Sequence, residues 1–351
     1  MARLEFTNVG VKAIAACVPK HIKSNSQLEE LLGSTELEKV LQNIGIREMR
    51  QVSEATTPSD LCCAAAERLL LDNNVSKEEI DVVLFLSQNG DYKIPATSPS
   101  IQHRLGLLTT TACLDLTLAC SGYIYALSTA FAYASIPSIN NVLLLVGETF
   151  SQIVSEKDKV NAPLYGDAGT ATLISKGNFA PSVFQLYSDG SGADTIKIEA
   201  GGARCPANSE TVLSKEKEDG NFRSGHQLYM DGLEVFNFTL KVVPKSVKEA
   251  LTETSESVDS IDFFVFHQAN RFMIDFFVKK LKIPTNKVPI SLDTFGNVSS
   301  ATIPLTIVTR LKNELVDTDK KLLMSGFGAG LSWGTAILEM KSPVISELVE
   351  L

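Results

Sequence analysis

The chain has 351 residues, 44% hydrophobic and 21% charged, and this length is enough for two globular halves of similar size. Its formal net charge of -9 disfavours general nucleic-acid binding, because nucleic acids attract basic surfaces. The longest apolar run, residues 142–146, is too short to cross a bilayer, and the first residues alternate like a strand instead of forming a signal peptide. We therefore expect a cytoplasmic protein with no membrane segment and no nucleic-acid partner.

The cysteine and histidine content points away from disulfides and zinc. Six cysteines in a chain of this length do not form a disulfide framework, and none lies in a CxxC pair. With only four histidines, a zinc site is not expected either. Both observations fit a reducing compartment and a protein without a bound metal.

Apolar runs of strand length alternate with segments of helical periodicity, which predicts an α/β fold with buried sheets. In chain order, strands are predicted at residues 81–87, 141–148, 166–175 and 261–268, and helices at 59–80, 121–135 and 232–251. A glycine-rich turn and a strand at 321–340 close the series. The polar stretches at 87–100 and 201–226 are predicted to be loops.

The pattern of the first half returns in the second half. The segments "GDAGTATLI" and "GLSWGTAIL" each place an alternating strand after a glycine-rich turn, and "DVVLFLSQ" is similar to "DFFVFHQA". These pairs predict an internal duplication into two α/β halves, residues 1–180 and 181–351.

Cys120 is the candidate nucleophile. It follows a predicted buried strand and precedes a helix in "LACSGYIYAL" (118–127). A helix start stabilises a thiolate, so we expect a lowered pKa for Cys120. The alternative is that Cys120 is an inert buried cysteine, which is the interpretation we give to Cys17, Cys62, Cys63 and Cys113.

His267 and Asn297 are weaker candidates when taken alone. His267 ends the predicted strand "DFFVFH", and ligand sites collect at the carboxyl ends of strands in open α/β sheets. Asn297 lies in a Gly-Asn turn, which needs no function to explain it. The segment 325–334 lacks the lysine of a phosphate loop and precedes a strand, so it is not predicted to bind nucleotide phosphates.

Five segments, taken together and in this order, resemble the β-ketoacyl-acyl carrier protein synthase III family of the thiolase superfamily. They are "LACSGYIYAL" (118–127), "YGDAGTATL" (165–173), "HQAN" (267–270), "FGNVSSATIPL" (295–305) and "GFGAGLSWG" (326–334). The resemblance implies a thiolase-like fold of two duplicated halves in five α-β-α-β-α layers, and a homodimer. It implies no cofactor, since coenzyme A or acyl carrier protein thioesters are the substrates.

The resemblance also implies roles for individual residues. Cys120 matches the cysteine that accepts the acyl group, and His267 and Asn297 match the partners that stabilise the enolate formed when a malonyl thioester loses carbon dioxide. Backbone N–H groups of Cys120 and Ala329 would bind the oxyanion. A degradative thiolase would carry a second cysteine in 325–334, and a hydroxymethylglutaryl-coenzyme A synthase a glutamate near 87–90; this sequence has neither.

Further implied features lie outside this set. Lys39 and Asn43 stand where the family usually carries the Trp and Arg that clamp the adenine of coenzyme A, so acyl-coenzyme A is a possible rather than a required primer carrier. Ile94 and Pro95 are expected to line the acyl pocket, in part across the dimer. The acidic acyl carrier protein would dock on a basic patch; Arg271, Lys279, Lys280 and Lys282 are the candidates, with a solvated helix face as the alternative.

Three functions remain open from the sequence. The leading one is a decarboxylating condensation in fatty-acid initiation or a specialised pathway. The second is an acyltransferase that passes the acyl group from Cys120 to an oxygen or nitrogen acceptor. The third is a non-catalytic partner subunit, which an intact Cys120, His267 and Asn297 set disfavours.

Overall fold

The protein is built on two β-sheets, shown by a computed structural model that describes residues 1–53 and 55–351. The first sheet contains β2 (Val9–Val18), β5 (Val82–Leu86), β6 (Ala112–Leu116), β7 (Asn141–Thr149), β8 (Asp167–Lys176), β17 (Val344–Ile345) and β18 (Val349–Glu350). The second contains β1 (Ala2–Phe6), β9 (Ser182–Ser188), β14 (Phe263–Phe266), β15 (Asp319–Gly328) and β16 (Ser332–Lys341). Short antiparallel pairs join β3 (Ile22–Ser24) to β4 (Glu48–Arg50), β10 (Ile196–Ile198) to β13 (Leu228–Met230), and β11 (Lys215–Glu216) to β12 (Phe222–Arg223).

The helices lie in three layers around these sheets. They are α1 (Glu29–Leu32), α2 (Ser34–Ile44), α3 (Pro58–Asp72), α4 (Ser98–Leu105), α5 (Gly122–Ala134), α6 (Gly232–Glu253), α7 (Arg271–Leu281), α8 (Leu292–Phe295), α9 (Thr302–Arg310) and α10 (Lys312–Leu315). Helices α3 and α4 cover the first sheet, and α6 covers the second with α7 packed against it. Helices α5 and α9 contact strands of both sheets and form the middle layer. This is the five-layer thiolase-like fold, so the predicted fold class is confirmed.

Burial of both sheet faces explains the continuous apolar runs of the sequence. In β5, Val82, Leu84 and Leu86 face the middle layer, whereas Val83 and Phe85 pack with the core under α3. Strand β7 divides its side chains in the same way, with Leu144 on one face and Leu145 on the other. A strand covered on both faces has no polar side to alternate with, so its sequence is apolar throughout.

Each end of the chain pairs with the sheet that is built mainly from the opposite half of the sequence. The predicted division at residue 180 falls between β8 and β9, which belong to different sheets. However, β1 pairs with β9 in the second sheet, and β17 and β18 pair with β2 in the first. The two halves as separate domains therefore stay a prediction.

Among the described residues, no helix is both long enough and apolar enough to span a membrane.

Candidate active site

Cys120 lies in a tight turn immediately before α5. Strand β6 ends at Leu116, and α5 begins at Gly122, so Cys120 sits close to the helix start, as predicted. The side chain is buried, with 8% of its surface exposed. Its Sγ lies 3.6 Å from the Oγ of Ser299, which belongs to the other half of the chain.

His267 directly follows β14 and is held at both its backbone and its ring. Its N–H donates to the carbonyl of Ser325 at 2.8 Å, which continues the pairing of β14 with β15. The ring Nδ1 lies 2.6 Å from Oγ1 of Thr302, and the Thr302 hydroxyl lies 2.6 Å from the carbonyl of Ser299. That carbonyl only accepts, so the Thr302 hydroxyl donates to it and Nδ1–H donates to Thr302. The neutral imidazole therefore presents an unprotonated Nε2.

Asn297 is fixed by a turn between α8 and α9. Its N–H donates to the carbonyl of Leu164 at 2.8 Å, and its Oδ1 accepts from the N–H of Ser299 at 2.8 Å. Because the amide oxygen is engaged by the turn, the Nδ2 group is left to donate elsewhere. Ser299 itself has a φ of 51°, a left-handed conformation that is uncommon for residues other than glycine. The turn thus holds a strained backbone beside the Cys120 thiol.

The glycine-rich segment approaches Cys120 more closely than any larger residue would allow. The sequence predicted a turn at 325–334, but most of it is a hairpin: β15 runs to Gly328 and β16 begins at Ser332. A Cβ at Gly328 would lie 2.8 Å from the Cβ of Cys120. Ala329 follows in the hairpin turn, where its carbonyl accepts from Ser332 Oγ at 2.9 Å. Glycine at 328 is therefore required by the close approach of two chain segments.

These elements surround one small cavity of about 210 Å³. The three candidate residues Cys120, His267 and Asn297 all line it, together with Gly328. The rest of the wall is mainly apolar and includes Leu164, Tyr165, Met230, Val235, Met273 and Phe327. The structure thus brings together side chains separated by up to 177 positions in the sequence (297 − 120), although their catalytic roles stay predictions.

Burial controls the protonation states in this cavity. Desolvation raises the pKa of the Cys120 thiol to about 12, and the hydrogen bond with Ser299 opposes this increase. The lowered pKa predicted from the helix start is therefore wrong, because the loss of solvent outweighs the helix terminus. Desolvation also lowers the pKa of His267 to about 3, so its imidazole is neutral at physiological pH.

A wider groove adjoins the cavity, and we call it the entrance groove. The two spaces are lined by consecutive residues: Ile44 and Asn270 line the cavity, and the next residues, Gly45 and Arg271, line the groove. The groove has a volume of about 1040 Å³ and lies between α2 and α7. Its charged lining consists of Glu29, Glu38, Asp275, Asp293, Arg47 and Arg271. Four carboxylates and two guanidinium groups make this lining net acidic.

Other predicted residues lie away from both spaces. Ile94 and Pro95 are exposed, Ile94 to 88%, and they do not line the cavity of their own chain. Lys39 and Asn43 are exposed on α2, which instead presents Leu37, Glu38, Leu41 and Gln42 to the groove.

The predicted docking set is split along α7. Arg271 begins the helix at the groove and pairs with Asp275 at 2.8 Å. Lys279 and Lys280 lie in its last turn, and Lys282 directly follows it. At about 1.5 Å per residue, Lys279 is about 12 Å along the helix from Arg271. Only Arg271 of the four lines the groove.

Sequence reasoning missed a buried acid near Cys120. Glu148 lies in β7, is fully buried, and contacts the same turn as the thiol through Ser299 and Ser300. The signal was present in the sequence, since "VLLLVGE" ends an apolar strand with a glutamate, and buried acids need hydrogen-bond partners.

Comparisons with known proteins agree on one family. The family sequence models described as 3-oxoacyl-[acyl-carrier-protein] synthase III and as its C-terminal part match residues 114–197 and 251–340. The β-ketoacyl-[acyl-carrier-protein] synthase III of Rhodopirellula baltica is 33% identical over 94% of this chain and 97% of its own. The crystal structure of a 3-oxoacyl-(acyl-carrier protein) synthase from Burkholderia xenovorans LB400 is 34% identical, with a TM-score of 0.94 over 100% of this chain and 99% of that one. The priming β-ketosynthase of the R1128 polyketide pathway is 27% identical, with a TM-score of 0.83 over 96% of this chain and 98% of its own.

Proposed function

Because this chain belongs to the 3-oxoacyl-[acyl-carrier-protein] synthase III family, we propose that it catalyses a decarboxylating Claisen condensation. In this reaction an acyl group held on Cys120 joins a malonyl thioester to give a β-ketoacyl thioester. The observation that carries the proposal is the meeting of Cys120, His267 and Asn297 in one buried cavity. In this proposal the reaction starts fatty-acid or polyketide chains; the R1128 relative is itself described as the priming ketosynthase of a polyketide pathway.

The first half-reaction moves an acyl group onto Cys120. Because its pKa is about 12, the thiol is protonated at neutral pH and needs a base. His267 is neutral and presents a free Nε2, so it accepts the thiol proton while the sulfur attacks the acyl carbonyl. The bond between that carbonyl and the carrier sulfur breaks, and His267 passes the proton to the departing carrier thiolate, which leaves the imidazole neutral again. Backbone N–H groups of Cys120 and Ala329 stabilise the oxyanion.

The second half-reaction needs hydrogen-bond donors. Loss of carbon dioxide from the malonyl thioester leaves an enolate, whose oxygen accepts from Asn297 Nδ2 and from His267 Nε2. For this step the neutral imidazole takes its Nε2–H tautomer, in which Nδ1 accepts from the Thr302 hydroxyl and Nε2 donates to the enolate oxygen. The enolate carbon then attacks the acyl group, and the Cys120 thiolate leaves and takes a proton from water.

Asn297 separates this function from the acyltransferase. In a condensing enzyme, Asn297→Ala should still form the acyl-enzyme but release carbon dioxide about 100- to 1000-fold more slowly. Asn297→Asp keeps an oxygen for the Ser299 N–H and lacks the donor, so it should be impaired in the same step. Asn178→Ala, an exposed position, is the matched control.

The measurement is intact-protein mass spectrometry with acyl thioesters, followed by malonyl-acyl carrier protein and detection of carbon dioxide. An acyl-enzyme that malonyl thioester does not discharge, but an alcohol or amine does, would instead identify an acyltransferase. No adduct from any donor would leave the non-catalytic partner as the answer.

The same proposal includes a homodimer, formed along the edge of the first sheet. Strand β6 is the last strand of that sheet and has one neighbour, β5. Large apolar side chains are exposed on β6 and in the loop between β5 and α4: Leu114 at 40%, Tyr92 at 73% and Ile94 at 88%. An exposed apolar strand edge favours pairing with a second chain. In such a dimer, the loop with Ile94 and Pro95 would contribute to the acyl pocket of the second copy.

Sedimentation velocity tests the dimer. The wild-type protein should sediment as a dimer, and Leu114→Lys should shift it toward the monomer, because a charged side chain on an edge strand opposes pairing with a second chain. Leu71→Lys changes a leucine that is 72% exposed on α3 and should leave the dimer intact. A monomer in the wild-type sample would remove both the dimer and the shared acyl pocket.

A further inference from the structure

Glu148 is a buried acid that the proposed reaction does not use. It is fully buried in β7 and is not part of the cavity lining. Its Oε1 accepts from Ser300 Oγ at 2.9 Å, and its Oε2 accepts from the N–H of Gln88 at 3.1 Å and from Ser87 Oγ at 3.4 Å. A carboxyl group in such a place is costly unless it is hydrogen bonded, and this one has several partners.

Two of these contacts lead to Cys120. Ser299 and Ser300 are adjacent in the turn that also holds Asn297; Ser300 Oγ donates to Glu148, and the Ser299 hydroxyl lies 3.6 Å from the Cys120 thiol. On the other side, the Gln88 side chain accepts from the N–H groups of Leu118 and Ala119, with its amide oriented to satisfy both. Glu148 therefore lies between the loop that carries Cys120 and the turn that carries Asn297.

The charge of Glu148 also acts on the thiol. Burial raises the pKa of Glu148 to about 8, so the carboxyl is mainly protonated at pH 7. Its negative form raises the pKa of Cys120, from the start of α5, and of Cys62, from α3; these are the titratable groups of the described residues that respond to it. Backbone and hydroxyl donors supply the rest of its surroundings.

We propose that Glu148 is a positioning residue for Cys120. Its carboxyl holds the Ser299–Ser300 turn and the loop before Cys120 in register, and its negative charge, when present, opposes ionisation of the thiol. When the pH rises above about 8 and Glu148 loses its proton, its charge disfavours the Cys120 thiolate. Cys120 should then react more slowly than it would without that charge. Its effect on turnover rests on the proposed function, but its effect on the thiol does not, and it can be measured without substrate.

The test is the rate of Cys120 alkylation by iodoacetamide between pH 6 and pH 10, followed by intact-protein mass. Cys120→Ser, run in parallel, gives the labelling of the other cysteines. At pH 9 the wild-type Glu148 is charged and the glutamine is not, so Cys120 should be alkylated about tenfold faster in Glu148→Gln than in wild type. At pH 6.5 the wild-type Glu148 is protonated, and the two rates should be similar. Glu148→Asp, which keeps a carboxyl, should stay close to wild type at pH 9.

Asp167→Asn is the matched control. Asp167 is also fully buried and accepts from the N–H groups of Val52 and Ser151, but Cys120 is not among its contacts. This variant should keep the wild-type alkylation profile. A folded Glu148→Gln protein with the wild-type profile, or one slowed equally at every pH, would overturn the proposal.

Ser299→Ala provides a second test if Glu148→Gln does not fold. Removing the hydroxyl takes away the bond that lowers the pKa of Cys120, so alkylation at pH 9 should become several-fold slower. An unchanged rate would show that the contact between Ser299 and Cys120 has no influence on the thiol, and the link to Glu148 would be lost. If acyl thioesters fail to label Cys120 in the wild-type protein, the proposed function fails, while these alkylation rates still decide the role of Glu148.

Discussion

The cavity at Cys120 and the entrance groove adjoin each other but differ in how their residues are held. The cavity is small and buried, and backbone hydrogen bonds fix Asn297 and His267 in it. The groove is about five times larger, and its charged side chains are mostly exposed; half of them lie on α2 and α7. Changes in the cavity should therefore alter the chemical steps, whereas changes in the groove should alter how a carrier docks.

The largest effect is expected for Cys120→Ser. A serine hydroxyl in the same buried place is a much weaker nucleophile, so condensation should fall at least about a thousandfold. No acyl adduct should appear in the intact mass after incubation with acyl thioesters. Cys205→Ser, in a surface loop, is the control and should keep wild-type activity. An acyl adduct that survives in Cys120→Ser at the wild-type rate would place the nucleophile elsewhere and end the distinction between cavity and groove.

The next effect is expected for Gly328→Ala, which tests the close packing of the cavity wall. The added methyl group would lie 2.8 Å from the Cβ of Cys120, so one of the two segments must shift. Acylation of Cys120 should slow by up to about a hundredfold, because nucleophile and carbonyl lose their alignment. A single-turnover acylation assay measures this.

Gly202→Ala is the control for this variant, since a Cβ there would meet open space. If Gly328→Ala is acylated at the wild-type rate, the wall of the cavity accommodates the extra methyl group without disturbing Cys120. The cavity would then be packed no more tightly than the groove.

The pH dependence of folding stability separates a buried acid from an exposed one. In the native protein Glu148 keeps its proton up to about pH 8, whereas an ordinary glutamate loses it near pH 4.5. The native state thus binds more protons between these values, and this group makes stability decrease as pH rises from 4.5 to 8. Glu148→Gln should remove that decrease, so its urea midpoint relative to wild type should be higher at pH 8 than at pH 5.

Asp275→Asn provides the comparison from the groove. Asp275 forms an exposed ion pair with Arg271, and such pairs contribute little to stability. Its urea midpoints should stay close to wild type at both pH values. If the urea midpoints of Glu148→Gln and wild type differ by the same amount at pH 5 and at pH 8, the raised pKa of Glu148 is contradicted.

The sequence predicted the cavity better than the groove, for a physical reason. Cys120 and His267 each follow a strand and precede a helix, and local sequence indicates such junctions, whereas Asn297 was assigned only through the family resemblance. The apolar runs predicted the buried strands for the same reason. The pKa of Cys120 was predicted in the wrong direction, because its desolvation comes from segments far away in the chain, including the Gly328 hairpin and the Ser299 turn.

The lining of the groove depends on which side chains of α2 and α7 face each other in the folded chain. A short stretch of sequence does not predict that. Lys39 and Asn43 were assigned by matching positions in the resembled family's early block, yet α2 presents Glu38 and Gln42 to the groove instead. The lysines of α7 were grouped with Arg271 because they are close in sequence, although the helix separates them in space. Glu148 was missed because its neighbours Gln88 and Ser300 come from distant segments.

The smallest effect is expected for the basic residues at α7. The sequence grouped all four as one docking set, but only Arg271 lines the groove. Arg271 lines the groove, so Arg271→Ala should raise KM for an acyl carrier protein thioester about fivefold at most and leave kcat nearly unchanged, since an exposed charge contributes about 1 kcal/mol or less. The combined Lys279→Ala, Lys280→Ala and Lys282→Ala variant should change KM less, because these lysines are outside the groove. Both effects should shrink when salt is raised to about 0.5 M, where screening shortens the reach of surface charges. If the triple variant raises KM more than Arg271→Ala does, the carrier docks along the outer end of α7, and the groove serves only the arm that carries the acyl group.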